Sequence, residues 1–135
     1  VKAVITILVA VHFAVIVWHG NAHQRLGITL PPEKNVFVYV VIVVAPIIAT
    51  LLAWTRYRAA GAWVLFLSML GALLFGAYHH YVLVSPDNIH HLPDGSGNAQ
   101  FAFSLSAAAM ALSELAAATY GAFCVGALGA GDPQG

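Results

Sequence analysis

Seven histidines carry most of the chemistry this chain can offer: His12, His19, His23, His79, His80, His90 and His91. Four of them fall within thirteen residues, as the pairs His79-His80 and His90-His91. His19 and His23 are four apart, the spacing that puts two ligands on one edge of a helix. Neutral imidazole is a common ligand for zinc, copper, iron and nickel. His19, His23, His79, His80, His90 and His91 are therefore candidate ligands for a copper, zinc or iron ion. Glu33, Asp87 and Asp94 stand near them in sequence, as oxygen ligands or as acceptors that orient a ring. A haem b is a variant of the same reading. His19 and either His79 or His80 would be its axial ligands, and Gly76 would let the flat macrocycle approach.

A second constellation lies deeper in the apolar segments. His12 and Glu114 both sit well inside long apolar stretches. An ionisable group in the bilayer interior costs ~2.5–3.5 kcal/mol or more when unpaired. The two are expected to pair with each other, with Ser104, Ser106 and Ser113 supplying further hydrogen bonds. Such a pair serves a proton or ion pathway, a deeper metal position, or the register of two helices.

The elements that must hold these groups follow from composition. Of the 135 residues 61 % are hydrophobic and 7 % charged, which a soluble domain of this size cannot bury. Apolar runs predict four transmembrane helices near residues 3–19, 35–55, 62–84 and 99–128. The Lys2 start and the Gly20-Asn21-Ala22 stretch resemble a leader and its cleavage site, but the first run is read as a span. Pro46 lies inside the second run and predicts a kink. The fold expected is all-α, a single integral membrane domain over residues 1–135 forming a four-helix up-down bundle. Its loops 20–34 and 85–98 carry histidines to one face. Small residues such as Gly71, Gly76, Ala107, Ala111, Ala118 and Gly121 permit close helix approach. Trp18, Trp54 and Trp63 fall at helix ends, as an interfacial belt requires. Lys2, Arg56 and Arg58 on one side, against Arg25 and Lys34 on the other, put both termini in the cytoplasm and the histidines outside. A prokaryotic inner membrane is the expected location. Cys124 alone can form neither an intrachain disulfide nor a cysteine-built metal site, and reads as packing. The tail Gly131 to Gly135 is expected to fray. A net charge of zero gives no electrostatic case for nucleic acid.

The histidine pairs look superficially like the histidine boxes of membrane fatty-acid desaturases and hydroxylases. Those boxes read His-x-x-His-His. Here the third histidine is missing, with Gly76 or Ala77 and Asp87 or Asn88 where it should stand, so that family is not assigned. Three functional readings stay open. The first is a membrane protein that binds a transition metal for metal handling or redox chemistry. The second is a small accessory subunit of a respiratory or photosynthetic complex, contacting other membrane subunits or a second copy and ligating haem or pigment. The third is a proton or ion carrier using His12 and Glu114. No enzymatic reaction is specified.

Overall fold

The computed structural model describes residues 1–130; the tail from Gly131 to Gly135 lies outside the described residues. The described residues are helical, without strands. Four helices are long and apolar enough to cross a membrane: α1 (Lys2–Arg25), α2 (Pro32–Ala53), α3 (Arg58–Val82) and α4 (Gly97–Ala130). α3 packs along α4, α1 along α4, and α2 along α3.

Residue size is distributed inside out. Alanines such as Ala49, Ala62, Ala72, Ala107 and Ala117 make many of the buried contacts, around a few large side chains, Ile5, Leu65, Met69 and Phe103. Large apolar side chains such as Ile7, Val17, Leu51, Leu74, Leu112 and Phe123 point outward. The closest approaches are at glycines. A Cβ on Gly121 would stand 2.8 Å from the Phe66 backbone nitrogen, and one on Gly61 would stand 2.9 Å from the Ala49 carbonyl oxygen. Such contacts between backbones allow the gain in van der Waals packing that holds helices together in lipid. Gly71 has more room than the sequence suggested, with its nearest neighbour 3.5 Å from a virtual Cβ. Cys124 is buried in α4.

α1 runs six residues beyond the end expected at His19, through Gly20, to Arg25. Its stop is at Gly27, whose φ of +64° is open to glycine. The Ile28 amide donates to the His23 carbonyl and the Gly27 amide to the Gln24 carbonyl. This pair of bonds closes the last turn as a Schellman motif. His23 is thereby a helical residue instead of a loop residue, and it shares a face with His19.

Pro46 acts through hydrogen bonding. The preceding stretch Val38–Val44 widens into π-helix, with the Ala45 amide reaching back to Val40. Proline offers no N–H to the helical ladder, which leaves the Val41 carbonyl without a donor in the π register and the Ile42 carbonyl without one in the α register that follows. His12 Nε2 stands 3.3 Å from the Ile42 oxygen and donates to it. At the same end as the amino terminus, the Lys2 ammonium lies 4.5 Å over the Trp54 ring, and Trp54 donates to Thr6 Oγ1.

Candidate metal centre

Three histidines meet where α1 and α3 end. His19 and His23 come from the last two turns of α1. His80 comes from a π-helical turn, Tyr78–Val82, that closes α3. His23 Nε2 is 3.1 Å from His19 Nε2, which is 3.2 Å from His80 Nε2. One ligand atom from each of the three lies within 4.8 Å of the others, and together they could hold a metal ion. A tetrahedral ion with bonds of about 2.05 Å sets its ligand nitrogens about 3.3 Å apart, close to the two short edges seen here.

The outer nitrogens fix which tautomer each ring adopts. His80 Nδ1 is 2.9 Å from the Asp87 carbonyl oxygen, an acceptor only, so Nδ1 carries the proton. The Ser106 hydroxyl donates to the Phe103 carbonyl at 3.0 Å, leaving its oxygen to accept from His19 Nδ1 at 2.8 Å. With both rings neutral, the Nε2 atoms present lone pairs to each other. Two lone pairs at 3.2 Å repel unless a cation sits between them. Phe103, fully buried, packs 4.9, 5.0 and 5.5 Å from the rings of His19, His23 and His80 and closes one side of the cluster.

The loop after α3 supplies the remaining support. Ser85-Pro86-Asp87-Asn88 forms a turn in which the Asn88 amide donates to the Ser85 carbonyl. Asn88 Nδ2 donates to the Leu83 carbonyl, and Asn88 Oδ1 accepts from the His90 amide. The Ile89 amide donates to the carbonyl of His80 itself. Asp87 Oδ1 stands 3.2 Å from His23 Nε2 and 3.4 Å from His80 Nδ1, at ion-pair distance but outside hydrogen-bond geometry. Burial pushes this carboxyl up, but the facing imidazoles, His80 foremost, outweigh it and hold the carboxyl below its ordinary range. Because Asp87 lies on the Nδ1 side of His80, it orients that ring and cannot share an ion with its Nε2.

The other candidate residues stand apart from this cluster. His79 is the neighbour that turns away: its Nδ1 donates to the Phe75 carbonyl at 2.8 Å, and its ring lies 4.1 Å from that of Phe75. His90, His91, Glu33 and Asp94 are exposed and outside the group of three. The expected His12–Glu114 pair is not formed among the described residues. His12 bonds to the Ile42 carbonyl and stands 3.4 Å from Ser113 Oγ, one residue short of Glu114. One residue is ~100° of helix, and that rotation turns Glu114 toward α3 instead. Its Oε2 and the His80 ring flank Gly76, 3.7 and 3.8 Å from a virtual Cβ there, while Oε1 has no hydrogen-bond partner. Bis-histidine haem ligation needs its two axial nitrogens on opposite faces of a macrocycle. Nitrogens 3.2 Å apart, with a third 3.1 Å from the first, leave no plane between them.

The sequence alone gives no role to Asn88 or Phe103, and Ser106 serves His19 instead of the expected His12–Glu114 pair. The available signal was spacing on α4: Phe103, Ser106 and Glu114 recur at helical intervals and so share a face. A cavity of about 400 Å³ opens beside the cluster, touching His19, His23 and His80 at one end and Glu114 deeper in. Comparison with protein-family models, with curated proteins and with solved structures returned no match.

Proposed function

We propose that this chain is an integral membrane protein, a four-helix up-down bundle that holds a transition metal ion, copper, zinc or iron, on His19, His23 and His80. The observation that carries the reading is the convergence of one ring nitrogen each from His19, His23 and His80 within 4.8 Å, with His19 and His80 each held by a hydrogen bond at the opposite nitrogen. Second-sphere acceptors of this kind are what metal-bound histidines require. Three imidazoles leave a tetrahedral ion one open position, the pattern of zinc sites that bind water or substrate. Membrane insertion is supported by the outward-facing large apolar residues and the small-residue core. Lys2, Arg56 and Arg58 assign the opposite end of the bundle to the cytoplasm.

The test is metal analysis of protein purified in detergent without chelator. One equivalent of a single transition metal is expected, lost in His19→Ala and His80→Ala and kept in His79→Ala and His90→Ala. Folded wild-type protein that stays empty after incubation with copper, zinc and iron in turn would refute the reading. A proton would then be the cation between His19 and His80, with Asp87 balancing its charge.

A further inference from the structure

The cavity beside the three histidines is a second feature with chemistry of its own. It exists because α1 packs against the Ala45–Ala53 part of α2 and hardly against the part before it. The cavity is lined on this side by Ile16 and Gly20 of α1 and by Val38 and Tyr39 of α2. On its far side, α3 presents Ala72 and Gly76, and α4 presents Ala107 and Ala111. Each pair is four residues apart, so each forms a flat, small-residue strip on one helix face. Phe75 adds an aromatic wall.

Into this apolar space comes the Glu114 carboxyl, 1 % exposed, with Oε1 lacking any hydrogen-bond partner. A buried acceptor left unpaired is destabilising, and native structures rarely keep one without a reason. Neither lysine nor arginine lines the cavity, which disfavours an anionic ligand. The Asp87 carboxylate also lines the cavity but is engaged by His23 and His80, and a cation is repelled by the metal of the proposed function, on which this step rests. A neutral molecule with one hydrogen-bond donor and a flat apolar body remains.

We propose that the cavity binds a membrane-soluble phenol or hydroquinone, which donates its hydroxyl hydrogen to the Glu114 carboxyl. The Gly76 strip lets the ring lie between Glu114 and His80.

The test uses the full chain in phosphatidylcholine nanodiscs with metal content measured on every sample. The probes are 4-nonylphenol and nonylbenzene, which differ by the hydroxyl alone. Binding is read as a saturable rise in Tm with probe mole fraction. Nonylphenol is expected to bind about tenfold more tightly than nonylbenzene, the worth of one hydrogen bond in an apolar site. Glu114→Gln, whose amide oxygen still accepts, keeps the preference. Ala111→Phe, which fills the cavity, abolishes binding while the metal content stays unchanged. Equal binding of the two probes, or undiminished binding to Ala111→Phe, overturns the proposal. Metal at one equivalent with no hydroxyl preference sinks the cavity assignment alone. Hydroxyl preference in protein that stays empty after incubation with copper, zinc and iron supports the cavity assignment and sinks the metal reading instead.

Discussion

Replacing His12 with leucine tests whether this histidine is a structural plug for the proline in α2. Leucine keeps most of the volume and removes the donor that reaches the Ile42 carbonyl at 3.3 Å. A buried acceptor left without a partner costs ~1–3 kcal/mol. Side-chain hydrogen bonds between membrane helices run lower, averaging ~0.6 and reaching ~1.7 kcal/mol. A destabilisation of about 1 kcal/mol is therefore expected for His12→Leu. The informative quantity is its dependence on Pro46. In a Pro46→Ala background residue 46 regains an N–H, which can serve the Ile42 carbonyl from within the helix. The loss of His12 should then matter little, leaving a coupling energy of about 1 kcal/mol between positions 12 and 46. The assay is reversible unfolding of the four proteins in mixed micelles, followed by circular dichroism. Additive effects, within about 0.3–0.5 kcal/mol, would show that His12 does not compensate for the proline.

Further outcomes follow from the same geometry. Gly121→Ala should lower stability by about 1–3 kcal/mol, because its Cβ would meet the Phe66 backbone at 2.8 Å, whereas Gly76→Ala, whose nearest contact is 3.7 Å away, should be tolerated. Comparing their denaturation midpoints checks both. Asp87 ionises below its ordinary value of 3.8, so its contribution to stability is present above that pH and is lost as pH falls through its folded value. Asp87→Asn should remove this acid-side loss, read from midpoints measured across acidic pH without metal. Ser106→Ala removes the acceptor that fixes the His19 tautomer and should weaken metal binding about 10–100-fold in a chelator competition, with the fold retained. Metal binding should also weaken as pH falls, since imidazole must lose its proton to ligate.

The helices were legible because length and hydropathy are properties of single segments. Their ends were less so, and for an identifiable reason. Gly20 followed by Asn21 reads as a helix stop, yet only Gly27 adopts the left-handed conformation that closes the last turn. The six residues between the two glycines decide whether His23 hangs in a loop or shares a face with His19. The ligand set shows the same limit. Spacing made His19 and His23 neighbours and allowed only one of His79 and His80 to face inward, but not which one. That choice belongs to the π-helical turn and to the Asp87 carbonyl, and neither exists until the loop after α3 has folded back.

The buried polar residues divide by what each must satisfy. In an apolar interior every donor and acceptor needs a partner, because neither lipid nor bulk water supplies one. His12 meets this demand through a carbonyl that Pro46 leaves without its helical donor, so its presence mid-helix needs no transport role. His19 and His80 meet it at Nδ1 and turn their Nε2 atoms toward each other and toward His23, a convergence that a shared cation would satisfy. Glu114 meets it at neither end of its Oε1 surroundings. The two unmet demands lie on the same cavity, which is the physical reason to look for function there rather than at the exposed His90-His91 pair.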